Sequence, residues 1–74
     1  MMKIQYQMQV KILNLNTSER IQITIVDPRE ANRAENKIPR TSMLGKNLLG
    51  HKMGQTIEYR FDGKMERYRI LNVK

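Results

Sequence analysis

The sequence predicts an α+β fold, a small antiparallel sheet of about four to five strands with one short helix on one face. Two stretches of alternating apolar and polar residues near the start, and two near the end, indicate strands, and a capped apolar stretch between them indicates the helix. The 74 residues predict a single small domain, 1–74. A domain of this size buries only about 60% of the surface that its unfolded chain exposes, so its core is thin.

The first two stretches predict an antiparallel hairpin. The first has one apolar parity, formed by Ile4, Tyr6, Met8, Val10 and Ile12, and a period of two is typical of a half-buried strand. Residues 14–18, NLNTS, are turn formers. The second alternation places Ile21, Ile23 and Ile25 on one face. Asp27-Pro28 ends this strand, because proline removes a donor from the ladder.

The middle of the chain predicts one short helix. Residues 29–37, REANRAENK, lack apolar periodicity, which leaves open either a loop or one helical turn. Residues 38–40 form at most a short edge segment, because proline belongs at sheet edges. Residues 43–49, MLGKNLL, predict a helix of about two turns. Ser42 is its expected N-cap, Gly50 the expected left-handed residue after it, and Gly45 a site of close packing.

The C-terminal part predicts a second hairpin. Ile57, Tyr59 and Phe61 share one face, and Asp62-Gly63 is a strong signal for a two-residue turn with positive φ at both positions. In the last strand, Tyr68 and Ile70 have one parity, whereas Leu71 and Val73 have the other. Burial of both sets requires a bulge near Leu71-Asn72.

Several kinds of chemistry find no support in the sequence. The chain has no cysteine, and its single histidine, His51, has no carboxylate at metal-ligand spacing, so we expect no metal and no cofactor. We expect His51 to be exposed and to interact with the carbonyl end of the helix. The glycines fit no phosphate-binding motif, and no set of acids and bases is placed for catalysis, so we expect no enzyme. No apolar run could span a bilayer, which favours a cytoplasmic protein.

The charge of the chain favours a polyanion or an acidic protein surface as a partner. Lys and Arg number 14 against 7 acids, a net charge of +7. The alternative is a solvated basic surface without a dedicated partner. The candidate polyanion contacts in and around the central loop are Arg29, Arg33, Lys37, Arg40, Lys46 and Lys52. Tyr59, Phe61 and Tyr68 have the apolar parity, which predicts that they pack in the core rather than stack on bases.

The central motif resembles a known family. Residues 42–55, SMLGKNLLGHKMGQ, are similar to the pattern Ser-Pro-φ-Gly/Ala-x-Ala-Leu-Leu-Gly-x-x-φ-Gly-Asp of the carboxy-terminal domain of the bacterial Gre transcript-cleavage and elongation factors, where φ is apolar. Residues 13–17 and 23–32 resemble the segments that precede it, and the likeness extends from Val10 to Val73. In this chain Met43 replaces the motif proline, and Gln55 replaces the final aspartate.

The resemblance implies an FKBP-like fold and a role in binding bacterial RNA polymerase at the β′ rim beside the secondary channel. The implied contact residues are Thr41, Ser42, Met43 and Leu44, which we call the docking segment. We expect the amino-terminal coiled coil that carries the family's cleavage acids to be absent, so the expected role is to modulate elongation without stimulating cleavage. Two alternatives remain: a basic nucleic-acid-binding domain, and a polymerase binder like the related regulators of nucleoside diphosphate kinase, which share Leu-Leu-Gly-x-x-x-Gly.

Overall fold

The computed structural model describes residues 3–74, and these form a five-stranded sheet with one α-helix. The strands are β1 (Gln9–Asn14), β2 (Arg20–Val26), β3 (Lys37–Pro39), β4 (Thr56–Phe61) and β5 (Lys64–Val73), and the helix is α1 (Met43–Leu48). Two 3-10 turns, Pro28–Glu30 and Arg33–Glu35, lie between β2 and β3. The strand order is β3-β2-β1-β5-β4, so the predicted α+β class and strand number are confirmed.

One strand pairing differs from the prediction. β1 pairs antiparallel with β2 and β5, and β4 with β5, but β3 runs parallel to β2 with Ile25 opposite Ile38. The sheet is therefore mixed, and the expectation of an antiparallel sheet is wrong at this edge. The two 3-10 turns carry the chain back along β2 before β3 begins, which is the kind of crossover that a parallel pair requires. β3 contains Pro39 and lies at the edge, as predicted.

The first strand is shorter than its alternation suggested. It begins at Gln9 rather than near Ile4, because Gln7 adopts a positive φ of 69° in a turn that ends the extended segment. The turn is held by the Gln7 amide, which donates to the Ile25 carbonyl at 2.9 Å. Ile4 is nevertheless buried, and its backbone bonds to Gly50 and His51 at the end of α1. The alternation therefore marked burial correctly at Ile4 but not strand structure.

The last two strands follow the sequence signals closely. Asp62 and Gly63 have φ values of 54° and 80°, and Phe61 pairs with Lys64, so the predicted two-residue turn is confirmed. In β5 the register shifts, because Lys11 pairs with Asn72 whereas Ile12 pairs with Ile70. Leu71 is the extra residue, which confirms the bulge.

The core lies between the inner face of the sheet and α1. Its buried side chains are Ile4, Val10, Ile12, Ile23, Ile25, Leu48, Ile57, Tyr68 and Ile70. Leu44 and Leu49 pack against this cluster from the helix side. Phe61 was expected in the core but is 54% exposed. It is the last residue of β4 before the turn, whereas Ile57 and Tyr59, earlier in the strand, belong to or pack against the core cluster.

The end of α1 depends on Gly50. The helix ends at Leu48, one residue earlier than predicted, and Leu49 has φ −55° and ψ 133°. Gly50 follows with φ 85°, and the His51 amide donates to the Leu48 carbonyl at 3.1 Å. These features define a type II turn, which requires positive φ at its third residue. The expected left-handed conformation of Gly50 is confirmed.

Tyr59 and Tyr68 form a stacked pair on the inner face of the last hairpin. Their ring centroids are 6.4 Å apart, with 18° between the ring planes. Removal from water raises the pKa of Tyr59 to about 12, and the charges of Tyr68 and Glu66 act in the same direction. The pKa of Tyr68 is also raised, again chiefly by burial. Both phenols are therefore held in the neutral form by the fold.

This pair predicts a loss of stability in alkali. Unfolding returns Tyr59 to a pKa of about 10, so between about pH 10 and 12 the unfolded chain binds fewer protons than the folded chain, and stability falls as pH rises. We expect Tyr59→Phe to lose less free energy of unfolding than the wild type between those pH values, measured by urea denaturation. Tyr6 is 39% exposed and lies outside the stacked pair, so Tyr6→Phe is the matched control and should follow the wild type. Equal losses in wild type and Tyr59→Phe would contradict the prediction.

Candidate docking site at the start of helix α1

The Ser42 hydroxyl links β3 to α1, because it both donates and accepts a hydrogen bond. Its Oγ accepts a hydrogen bond from the Gly45 amide at 3.0 Å and donates one to the Pro39 carbonyl at 2.8 Å. Its own amide also donates to Pro39 O at 3.0 Å, and its carbonyl accepts the first helical bond, from Lys46. The predicted N-cap is thus confirmed. Ser42 fixes where α1 starts relative to the edge strand.

Gly45 permits the close approach of α1 to the end of β3. A Cβ atom at this position would lie 2.6 Å from the Pro39 carbonyl oxygen and 3.0 Å from Ser42 Oγ. These separations are shorter than van der Waals contact, so only glycine fits without movement of the backbone. The predicted packing role of Gly45 is confirmed.

Met43 occupies a position at which proline would also fit. It is the first residue of α1, and the amide of a first helical residue has no acceptor within the helix, so proline is favoured there. Ser42 has φ −69° and ψ 159°, an extended conformation of the kind that the residue before a proline adopts. The Asn47 amide group additionally donates to the Met43 carbonyl at 2.7 Å. The segment therefore keeps the geometry that the motif proline would impose.

An open groove of about 430 Å³ borders this segment. It lies between the second 3-10 turn, β3 and the start of α1, and is lined by Ala31, Asn32, Arg33, Lys37, Ile38, Pro39, Ser42 and Leu44. Ala31, Ile38 and Leu44 give it an apolar floor, whereas Arg33 and Lys37 contribute positive charge. Such a groove suits an apolar side chain of a partner with carboxylates beside it.

The structure brings only part of the docking segment to the groove. Ser42 and Leu44 line it, and both are half-buried. Met43 is half-buried and Thr41 is exposed, but neither lines the groove. Their contact with a partner remains a prediction from the resemblance.

The six candidate polyanion contacts do not form one site. Arg33 and Lys37 line the groove, and Lys37 Nζ lies 3.0 Å from a carboxylate oxygen of Glu35. Arg29 pairs with Asp27 at 3.1 Å, and the Arg29 backbone amide, followed by its side chain, lowers the pKa of that carboxyl. Arg40 and Lys46 are exposed. Lys52 lies past the C-terminal end of α1, where its backbone forms an isolated antiparallel β-bridge with Lys3.

His51 differs from its expected state. It is half-buried, and its backbone amide, rather than its ring, bonds to the helix carbonyl of Leu48. Within residues 3–74, its buried Nδ1 has no hydrogen-bond partner. The part of the chain that the structure describes contains no group of three or more His, Cys, Asp or Glu placed to hold a metal ion. Over the same residues, no helix is long and apolar enough to cross a membrane.

Sequence reasoning missed the far wall of the groove. Ala31 and Asn32 lie in a segment without apolar periodicity, and their position depends on the two 3-10 turns. The signal was present in the asparagines: Asn32 Oδ1 accepts from the Ala34 amide at 3.0 Å, and Asn36 adopts φ 55°. Both are conformations in which asparagine is favoured, and together they orient the wall.

Comparison with known proteins identifies a family for this sequence and fold. Residues 2–74 match the family model described as transcription elongation factor, GreA/GreB, C-terminal. Transcription elongation factor GreA of Thermotoga neapolitana is 39% identical over 64 residues, which are 86% of this chain and 41% of that protein. The solved structure of the transcription factor Gfh1 superposes with a TM-score of 0.85 at 27% identity, covering 99% of this chain and 48% of that one.

A second solved structure, Gfh1 of Thermus aquaticus, has a TM-score of 0.82 at 30% identity over 95% of this chain and 46% of its own. The chain thus spans about two-fifths of the length of the GreA protein it matches. The matched region includes the Ser42-capped helix, the edge strand and both hairpins. By its sequence and its fold, the chain belongs to the GreA/GreB transcription elongation factor family, of which it represents the C-terminal domain.

Proposed function

We propose that this domain binds bacterial RNA polymerase through the docking segment and the groove beside it. The main observation behind the proposal is the pair of hydrogen bonds at Ser42 Oγ, one to the Pro39 carbonyl and one from the Gly45 amide. These bonds hold the docking segment in one position beside an apolar groove. A surface that is ordered before binding loses little conformational entropy on contact. The matched relatives are named as transcription factors, which supports a polymerase as the partner.

In this proposal an apolar side chain on the β′ rim enters the groove between Ile38 and Leu44, and carboxylates of the polymerase face Arg33 and Lys37. Electrostatic attraction of this kind speeds encounter more than it tightens the complex. The domain acts by binding, without chemistry of its own, and modulates elongation without stimulating transcript cleavage. It works where bacterial transcription takes place, in the cytoplasm.

The test is a titration of labelled domain with bacterial RNA polymerase at moderate salt. Ser42→Asp combined with Met43→Asp places two charges on the segment, and we expect binding to weaken by about thirtyfold or more, as for a binding hot spot. Gln5→Asp with Met53→Asp adds the same charge at two exposed positions elsewhere and should bind nearly as wild type. Circular dichroism confirms that each variant is folded.

A third variant tests the role of order in the segment. Met43→Pro fixes φ at a position whose amide needs no helical acceptor, so it should stabilise the domain by about 0.4–1 kcal/mol and tighten polymerase binding a few-fold. No binding by the wild type would overturn the proposal. Equal weakening by both double-aspartate variants would show that net charge, not the docking segment, governs the contact.

A further inference from the structure

The outer face of the sheet, opposite α1, is strongly basic. Period-two alternation places seven cations there: Lys11, Arg20, Lys37, Arg60, Arg67, Arg69 and Lys74. All seven are exposed. Among the described strand residues, Glu58 is the acid on the same face as these cations, and its carboxylate pairs with Arg67 at 2.9 Å. The outer face therefore concentrates much of the chain's positive charge with little compensation.

Strand register spaces these charges regularly. Leu13 lies opposite Arg20 on one side and Arg69 on the other, so the two arginines are two strand spacings, or about 10 Å, apart. Arg67 and Arg69 lie two residues apart on β5, about 7 Å along the strand. The carboxylate of Glu66 has the opposite parity, beside Tyr59. Of the two acids in the described strands, Glu66 therefore lies away from the outer-face cations and Glu58 lies among them.

A small polar cleft lies within this surface. It measures about 30 Å³ and is lined by Gln9, Lys11, Gln22, Asn72 and Lys74. The cleft is much smaller than the groove beside the docking segment, and it has room for a small polar group such as a water molecule or a phosphate oxygen. Ammonium and carboxamide groups around it can donate hydrogen bonds. An oxygen of a phosphate group fits both its size and its chemistry.

We propose that the outer face of the sheet binds the phosphate backbone of duplex nucleic acid, without reading its sequence. Rows of exposed cations are the electrostatic signature of backbone binding. Single-strand binding surfaces add aromatic side chains on which bases stack. Among the described strands, Tyr59, Phe61 and Tyr68 all have inner-face parity, so the outer face offers charge but no stacking. This combination favours a duplex.

Among the described outer-face cations, Lys37 also lines the docking groove, and the other six lie apart from the docking site. Leu44 and Leu48 of α1 pack on the inner core cluster, whereas the basic residues project from the other side of the sheet. A polymerase bound at the groove covers Lys37 but leaves the rest of the outer face accessible, so one domain can contact the polymerase and a nearby duplex together. Polymerase binding and duplex binding can therefore be lost independently of each other.

The test is fluorescence anisotropy with a labelled duplex of about 20 base pairs, titrated at several salt concentrations. The outer-face variant combines Lys11→Gln, Arg20→Gln and Arg69→Gln. The comparison variant combines Arg33→Gln, Arg40→Gln and Lys46→Gln, which removes the same charge from the set that the sequence suggested. We expect the outer-face variant to bind at least about tenfold more weakly at low salt and to reduce the slope of log K against log salt by about three. The comparison variant should retain the wild-type slope.

Three results would overturn the proposal. The first is the absence of salt-sensitive duplex binding by the wild type. The second is an equal reduction of slope in both variants, which would assign binding to net charge rather than to this face. The third is binding of the matching single strand as tight as that of the duplex. Polymerase titration of the outer-face variant, expected to be unchanged at moderate salt, keeps a failure here distinct from a failure at the docking site.

Discussion

Replacing Leu48 with alanine should lower the free energy of unfolding by about 2–5 kcal/mol, the range for leucine truncation in a core. Leu48 is fully buried, and it is the large side chain that α1 buries completely. α1 has six residues and is too short to be stable in isolation, so packing holds it. A domain of this size has a total stability of about 4–11 kcal/mol, which makes the loss severe.

Urea denaturation measures this loss, and a matched control is available. Leu15→Ala deletes the same atoms from a residue that is 38% exposed in the first hairpin turn, and it should cost well under half as much. Because Leu48 also holds the docking segment on the sheet, the proposed polymerase contact should weaken together with stability. Equal costs for the two substitutions would mean that α1 is not held through Leu48.

The features that the sequence predicted well depend on local chemistry. Asp62-Gly63 specifies its turn through two positive φ values, and Ser42 specifies the helix start through one side-chain bond. The bulge at Leu71 was predictable because two apolar sets with opposite parity cannot both face one core without an extra residue. Each signal lies within a few residues of the structure it determines.

The features that the sequence predicted poorly depend on contacts between residues far apart in the chain. The turn at Gln7 is stabilised by the Ile25 carbonyl, and β3 is parallel because its partner lies across two 3-10 turns. Phe61 has core parity, but whether a side chain is covered depends on which distant residues pack against it. A period of two cannot distinguish these outcomes, since it describes a strand's faces and not what lies against them.

The candidate site was predicted in the same uneven way. The resemblance pointed to residues 41–44 as the contact segment, and the sequence pointed to Gly45 as a packing site. The structure shows why Ser42 and Gly45 belong together, since both lie against the Pro39 carbonyl. The groove wall at Ala31 and the basic outer face required the topology. Charges that are scattered along the sequence, such as Arg20 and Arg69, become neighbours only through β1 between them.

Gly45→Val should disrupt the docking site from within, at a cost of about 1–3 kcal/mol in the free energy of unfolding. The new Cβ would lie 2.6 Å from the Pro39 carbonyl oxygen, and that backbone has little freedom to move. Arg40 donates to the Val26 carbonyl at 2.8 Å, and Ser42 bonds to Pro39 through two donors. Relief of the clash therefore requires α1 to move away from β3, which breaks the Ser42 cap.

Lys46→Val is the matched control, because it places the same β-branched residue at the next position of α1, where the side chain is exposed. It changes helix propensity by only a few tenths of a kcal/mol and creates no clash. Urea denaturation and polymerase titration of both variants separate the two effects. If Gly45→Val costs no more than Lys46→Val, α1 does not pack against Pro39 as described. If instead Gly45→Val loses both stability and binding while Lys46→Val keeps both, the glycine of the motif is required because the helix start must touch the edge strand.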